Sequence, residues 1–284
     1  MKKVSGISGT VAAVFALSSF ALSAFTLSSV ALAAPASPPI FTWQGFYAGV
    51  HVGYGWGNGK FGIAPGTNWI GDPDLAGVTA AATRNANISG ALGGVQAGYN
   101  YQSGKLVFGV EVDASALGVR GNFQSATFNG VVAGSTYSSG GSLGSNWLVT
   151  VRPRIGVAMD RALFYVTGGL AIADNRFNHH IDFLNTQFLC DGDCVRLPLT
   201  PAGGGSGTNA ASKTKTIASW TLGAGVEYAV TDKISLKAEY LYVNLGKSSA
   251  VSTYIDPNLA PWRITHKESK NLNIVRVGLN FLFN

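Results

Sequence analysis

From residue 43 onward the sequence alternates between apolar and polar or small residues in eight separate segments. A period of two is typical of a β-strand that has one face in an apolar environment. After residue 34 no apolar run approaches the ~20 residues that a membrane-spanning helix needs. Yet 46% of the residues are hydrophobic and only 12% are charged. Because only helices and closed barrels satisfy every backbone hydrogen bond in lipid, the pattern indicates an all-β chain that meets lipid through its strands.

The segments and their connections predict an eight-stranded antiparallel transmembrane β-barrel. The alternating segments lie within residues 46–56, 95–101, 106–115, 147–157, 164–172, 220–228, 234–242 and 275–283. Short turns are expected at Gln102–Lys105, Asp160–Ala162 and Thr231–Lys233, and four long extracellular loops at Gly57–Asn87, Gly118–Ser145, Asp174–Thr216 and Gly246–Lys270. Short turns on one side and long loops on the other are typical of bacterial outer-membrane barrels.

Aromatic residues on the apolar face fall into two bands. This supports the arrangement with the long loops outside the cell and the short turns on the periplasmic side. The band expected at the outer ends of the strands contains Tyr54, Trp56, Trp147, Trp220, Tyr240 and Tyr242. The band expected at the inner ends contains Tyr99, Tyr101, Phe108, Phe164, Tyr228, Phe281 and Phe283. Two such girdles are what a lipid-facing barrel needs, so we expect the protein in the bacterial outer membrane, in contact with its lipid.

The basic residues are scattered along the chain, and the formal net charge is +6. This distribution favours attraction to lipopolysaccharide and argues against a nucleic-acid partner. The long loops are the expected site for any host-surface or envelope partner.

The N-terminal stretch has the three parts of a secretory signal. Lys2 and Lys3 form a positive region, Val11 to Leu32 is apolar, and Ala31-Leu32-Ala33 fits a small-x-small cleavage site. We therefore expect a signal peptide at 1–33 and the barrel domain at 34–284, with cleavage after Ala33 or Ala34. A retained N-terminal anchor helix is the alternative, since the apolar run is long enough.

Four motifs in this order resemble a known family. They are Gln44-Gly45-Phe46-Tyr47-Ala48-Gly49, Phe108-Gly109-Val110-Glu111-Val112-Asp113, Leu163-Phe164-Tyr165-Val166-Thr167-Gly168-Gly169-Leu170-Ala171 and Glu239-Tyr240-Leu241-Tyr242. The chain resembles the RopB-like major surface proteins of alphaproteobacteria, within the opacity-protein and OmpA-type barrel superfamily. The resemblance covers the strands and the signal but not the loops. It implies an outer-membrane barrel with a structural or surface-contact role, and it supplies no catalytic residues.

Charged residues on the polar face of the strands, which should point into the barrel, predict a network in the lumen. Four acids and four bases have this inward parity: Glu111, Asp113, Arg152, Arg154, Glu227, Lys237, Glu239 and Arg276. An eight-stranded barrel is just wide enough to be filled by side chains, so we expect paired charges that plug it. Glu111 or Glu239 is the expected partner of Arg152, and Glu111 is the nearer candidate because its strand is the neighbour. A narrow porin-like path for ions or small solutes through these charges is the alternative.

The remaining polar groups point to structure rather than chemistry. Cys190 and Cys194 in one exported loop predict a disulfide, and Asp191 and Asp193 between them lack the spacing of a calcium loop. His51 on the inward parity is expected to be a hydrogen-bonded filler of the lumen. The loop residues His179, His180 and Asp182 have no nucleophile placed beside them, so a hydrolytic site is not expected. We expect no catalytic residue, metal site or cofactor. A membrane-embedded enzyme that acts on lipids is the third functional class, after a structural or surface-interaction barrel and a narrow pore.

Two positions depart from the pattern. Pro153 lacks a backbone donor within the fourth predicted strand, so a bulge is expected there. Leu241 and Val243 have the inward parity although they are apolar, so a register shift is expected near the outer end of the seventh strand.

Overall fold

The fold consists almost entirely of long antiparallel strands. The computed structural model describes residues 41–66, 75–129, 136–185, 205–254 and 262–283. Of the two units into which the chain divides, Met1–Ile40 lies outside the described residues, and Phe41–Asn284 contains every described element. In chain order the elements are β1 (Gly45–Pro65), α1 (Leu75–Ala82), β2 (Arg84–Ser103), β3 (Leu106–Gln124), β4 (Phe128–Asn129), β5 (Thr136–Met159), β6 (Ala162–Asn185), β7 (Gly205–Ala229), β8 (Ile234–Tyr254) and β9 (Trp262–Phe283).

Antiparallel pairing closes the sheet into a ring. The hydrogen-bonded order is β3-β2-β1-β9-β8-β7-β6-β5, and β3 pairs in turn with β5. Eight strands therefore build the barrel, while the two-residue β4 pairs only with the outer end of β5. The predicted eight-stranded antiparallel barrel is confirmed.

The outward face of the wall is apolar, as lipid contact requires. Phe46, Val52 and Leu222 are 65%, 62% and 59% exposed. The register also aligns the aromatic bands: Tyr54 and Tyr240 both pair with Val275, and Phe46 pairs with both Tyr99 and Phe283. Among the described residues no helix is long and apolar enough to cross a membrane.

The strands continue well beyond the outer girdle, so the predicted loop boundaries are wrong. β6 reaches Asn185 and β7 begins at Gly205, where the sequence pattern predicts a loop over Asp174–Thr216. The other three long connections are shortened in the same way. Outside the membrane both faces of the wall carry polar residues, so the ladder continues although the hydrophobic alternation stops.

Helix α1 lies in the connection between β1 and β2, where only a loop was expected. Its buried residues Val78, Ala81 and Ala82 pack against Ile181 of β6 and Ile264 of β9, both of which face inward. The helix therefore packs inside the outer mouth of the barrel.

The expected bulge at Pro153 does not form. Pro153 pairs with Val110 of β3 in a register that is continuous from Leu106 to Ala116. The register with β6 is also the same on both sides of the proline, and Thr167 Oγ1 donates to the Pro153 carbonyl oxygen at 2.9 Å. The missing N–H therefore interrupts the ladder locally without changing its register.

The expected register shift near the outer end of the seventh predicted strand is present, but it lies beyond Leu241 and Val243 and does not turn them outward. Both side chains are fully buried and point inward, in continuous register with Gly223 and Thr221 of β7. The irregularity lies further out, between Asn244 and Lys247. The parity holds because the lumen at this level is apolar, so an inward leucine is stable there.

Candidate functional site

The eight charged residues predicted to face the lumen all do so. Each of Glu111, Asp113, Arg152, Arg154, Glu227, Lys237, Glu239 and Arg276 is at most 4% exposed. They come from five strands, and ion pairs join them into one connected group, the lumen network.

Arg152 lies at the centre of the lumen network. Its Nη2 lies 2.6 Å from Glu111 Oε1 and 2.9 Å from Asp113 Oδ2, both on the neighbouring strand β3. Its Nη1 lies 3.3 Å from Glu239 Oε2 on β8. The expected pairing of Arg152 with Glu111 is therefore present, and Arg152 also bonds across the lumen.

Cations from two other positions, Arg276 and Lys237, surround the same carboxylates. Arg276 Nη2 lies 2.5 Å from Glu239 Oε2, and its Nη1 lies 3.1 Å from Asp113 Oδ1. Lys237 Nζ lies 2.7 Å from Glu111 Oε1. A guanidinium or ammonium thus compensates each of these buried carboxylates, as burial in a low-dielectric lumen requires.

Neutral side chains complete the lumen network, and the sequence analysis missed them. Tyr47 Oη donates to Glu111 Oε2 at 2.8 Å, and Tyr165 Oη donates to Glu239 Oε1 at 2.8 Å. The Arg154 guanidinium lies 4.5 Å from the centre of the Tyr47 ring and 5.2 Å from that of Tyr165. Their inward parity, among glycines and charged residues, is the signal that could have found them.

Two glycines make room for these tyrosines. Gly98 is the cross-strand partner of Tyr47, and Gly225 is the partner of Tyr165. A Cβ on Gly225 would lie 2.5 Å from Tyr165 Oη, and one on Gly98 would lie 2.3 Å from Tyr47 Oη. Each phenol therefore lies over its neighbouring glycine and reaches the carboxylate beyond it.

Apolar layers lie on both sides of the lumen network. On the periplasmic side, Trp43 packs with Val107, Leu163 and Tyr165 across the inner mouth. On the outer side, Leu92, Leu148, Leu241 and other inward residues form a larger apolar cluster. The lumen is therefore filled above and below the charges, and α1 packs at its outer mouth.

A buried histidine pair lies further out, beyond the aromatic girdle. His179 of β6 and His266 of β9 are at most 1% exposed, and their Nδ1 atoms are 2.9 Å apart. His266 Nε2 lies 2.7 Å from Ser252 Oγ, and Phe61 and Phe123 pack against the His179 ring. Burial lowers the pKa of His179 to about 3 and that of His266 to about 4.

The other polar groups singled out in the sequence do not converge. His51 Nε2 lies 2.8 Å from Ser115 Oγ inside the lumen. His180 faces away from His179 and lies 3.6 Å from Asp182 on the outer wall. In the part of the chain that the structure describes, no three His, Cys, Asp or Glu residues group as metal ligands. Cys190 and Cys194 lie outside the described residues.

Comparison with known proteins matches this architecture to one family. The model of the family described as "Outer membrane protein beta-barrel domain" matches residues 17–283. The chain belongs to this family. As a member of the outer-membrane β-barrel family, it resides in the outer membrane and contacts lipid along its apolar wall.

Two relatives of known origin agree with this assignment. The chain is 30% identical over 289 residues to the 31 kDa outer-membrane immunogenic protein of Brucella melitensis biotype 1, with 100% of both chains covered. It is 32% identical over 245 residues to the 22 kDa outer membrane protein of Rhizobium leguminosarum bv. viciae, with 84% of both chains covered. The solved structure of OprG from Pseudomonas aeruginosa is 12% identical, with 87% of this chain and 100% of OprG covered and a TM-score of 0.45. The expected membership of an alphaproteobacterial outer-membrane barrel family is confirmed.

Proposed function

We propose that this outer-membrane barrel is a sealed, non-catalytic envelope protein that acts through its outer surface. The lumen network carries the proposal, because four acids and four bases, each at most 4% exposed, fill the lumen between two apolar layers. A general pore needs a continuous water path, and an eight-stranded barrel has room only for side chains at this level.

The same contacts argue against catalysis in the lumen. A general acid or base must reach a substrate, but Glu111 and Glu239 are each engaged by several cations and by a tyrosine hydroxyl. We therefore assign these carboxylates to the stability of the barrel.

Planar-bilayer conductance tests the seal. The refolded parent protein should give no steady conductance above that of the lipid alone. A variant with Glu111, Arg152, Glu239 and Arg276 all replaced by Ala removes two charges of each sign but keeps both apolar layers, so it should not conduct steadily either. Heat-modifiable migration on gels will verify that both proteins are folded. A parent with large, steady, weakly selective conductance would instead establish the porin-like function.

A further expectation concerns a segment outside the described residues. We propose that residues 1–33 are a cleaved signal peptide, because the charged start, apolar run and Ala31-Leu32-Ala33 site occur in the order that export requires. N-terminal sequencing of the protein from outer membranes should begin at Ala34 or Pro35. A sequence beginning at Met1 would show a retained anchor.

We also propose that the extracellular part of the barrel is its contact surface for a host or envelope partner. The strands extend the wall beyond the girdle and α1 packs at its outer mouth, so a rigid polar surface stands outside the membrane. Binding of the purified barrel to envelope components, compared with a variant trimmed between β6 and β7, would test this.

A further inference from the structure

Five lysines line one groove in the barrel wall. Lys60 of β1, Lys247 of β8 and Lys267 of β9 lie on the outward face, whereas Lys213 and Lys215 of β7 pair with the inward-facing Phe177 and Asn175 of β6. The groove has a volume of about 590 Å³. We call it the lysine groove.

The lysine groove lies just outside the outer aromatic girdle. Lys60 follows Trp56 on the outward face of β1, about 13 Å further along the strand at ~3.3 Å per residue. Lys247 and Lys60 lie on either side of Ser269, with which both pair. These ammonium groups are therefore placed at the level of the lipid headgroups.

No carboxylate neutralises these lysines among the described residues, where no ion pair within 4.0 Å involves any of the five. The one acid that borders the groove, Glu268, is buried on the inward face and accepts a hydrogen bond from Asn175 Nδ2 at 2.8 Å. Clustered like charges destabilise a fold unless an anion compensates them, so the groove is suited to an anionic partner.

The groove also lies at a seam in the wall. The ladder between β7 and β8 runs from Thr221–Val243 to Ala229–Ser235 and does not extend further out along their described residues. Beyond it, Lys213 Nζ donates to the Ser249 carbonyl oxygen at 2.6 Å and links the two strands. An anion bound between Lys213 of β7 and Lys247 of β8 would join the strands at this point.

A second groove on another part of the wall provides a contrast. Arg120 and Arg176 line a groove of about 500 Å³ there. Arg176 Nε lies 3.0 Å from Asp174 Oδ2, so one of these two charges is already compensated. The unpaired positive charge of the outer wall is thus concentrated on the β7–β8–β9–β1 side.

We propose that the lysine groove binds the phosphate groups of a phosphorylated glycolipid of the outer leaflet. Lysine is a common phosphate ligand, and its flexible stem suits a headgroup that carries more than one phosphate. A lipid is favoured over a free anion because the groove is continuous with the lipid-facing wall below it. The proposal rests on the proposed function only for the orientation of the barrel in the membrane.

Native mass spectrometry of the refolded protein with bisphosphorylated lipid A tests the proposal. The variant is Lys60→Gln, Lys247→Gln and Lys267→Gln combined. The control, Lys105→Gln, Arg120→Gln and Lys233→Gln combined, removes the same charge away from the groove. The groove variant should bind lipid A about a hundredfold more weakly than the parent, since each of its three lysines contributes about fivefold near an anionic surface. The control should bind like the parent.

Three further measurements make the outcome decisive. Dephosphorylated lipid A should bind the parent as weakly as lipid A binds the groove variant. Millimolar inorganic phosphate should not displace lipid A. Equal binding of lipid A by the parent and the groove variant, or displacement by free phosphate, would overturn the proposal. Heat-modifiable migration will show that each variant is folded, and a conducting parent would refute the sealed barrel without affecting this comparison.

Discussion

Arg152 and Glu111 lie directly opposite one another on β5 and β3, and their side chains are 2.6 Å apart in the closed lumen. Both side chains are almost completely buried, so neither can regain water if its partner is removed. The pair thus joins two neighbouring strands, and the bond from Arg152 to Glu239 extends the link across the barrel to β8.

Arg152→Ala should therefore be strongly destabilising. Removing one partner of a buried ion pair typically costs about 3–5 kcal/mol, because the remaining charge stays buried without compensation. The double variant Arg152→Met/Glu111→Leu should recover part of this loss. Urea unfolding in lipid vesicles, followed by gel migration, measures both free energies.

Arg161→Ala provides the matched control. Arg161 pairs with Asp232 at 2.6 Å, but both side chains are substantially exposed on the periplasmic turns. An exposed pair contributes about 0–1 kcal/mol, so this variant should unfold close to the parental midpoint. If Arg152→Ala unfolds at that midpoint as well, the lumen network does not stabilise the barrel.

The membrane-spanning part of the fold could be predicted because lipid imposes a strict alternation on it. Beyond the girdle that constraint ends. His179 points inward and His180 outward, yet both are polar, so the pattern around them indicates a loop although the ladder continues. Helix α1 was missed for a related reason, since Leu75–Ala82 is short and its contacts lie on distant strands.

The sequence predicts which residues belong to the lumen network, but only some of their ion pairs. The alternation places Asp113 and Arg276 inside the barrel, and the adjacency of their strands predicts the pair of Arg152 and Glu111. The contact of Arg276 with Asp113 joins β9 to β3, which are not adjacent in the ring. Such contacts depend on the stagger and tilt of the closed barrel, which the local sequence does not encode.

Gly225→Ala should destabilise the barrel because the new methyl group would meet Tyr165. Its Cβ would lie 2.5 Å from Tyr165 Oη and 2.8 Å from the Ala238 carbonyl oxygen. Moving the phenol would weaken its bond to Glu239, so we expect a loss of about 1–3 kcal/mol, as for other overpacked interiors. Gly93→Ala is the control, since its Cβ would have no neighbour closer than 3.5 Å. The two should differ in urea midpoint, and equal midpoints would contradict the packing role of Gly225.

The proposed disulfide between Cys190 and Cys194 should leave barrel stability almost unchanged. The two cysteines enclose only three residues, Asp191, Gly192 and Asp193, and a short closed loop restricts the unfolded chain little. Thiol labelling of the mature protein should detect free cysteine only after reduction. Cys190→Ser/Cys194→Ser should melt within about 1 °C of the parent. Labelling of the unreduced protein would disprove the bond, and a large drop in melting temperature would show that this segment supports the barrel.

The extracellular end of the barrel should open in acid because of the His179–His266 pair. Burial lowers the pKa of the two side chains to about 3 and about 4, whereas an unfolded histidine titrates near ~6.5. When the end opens, the exposed histidines take up protons at a higher pH than they do when buried. The stability of the closed end is therefore greatest above about pH 6.5 and falls as the pH decreases toward 4. Glu268 acts in the opposite direction, because burial raises its pKa. Hydrogen-exchange protection factors, which correct for the pH dependence of intrinsic exchange, should fall between pH 7 and pH 5 at the outer ends of β6 and β9 in the parent and in His180→Gln. They should change far less in His179→Gln/His266→Gln, and an equal fall there would assign the acid sensitivity to other groups.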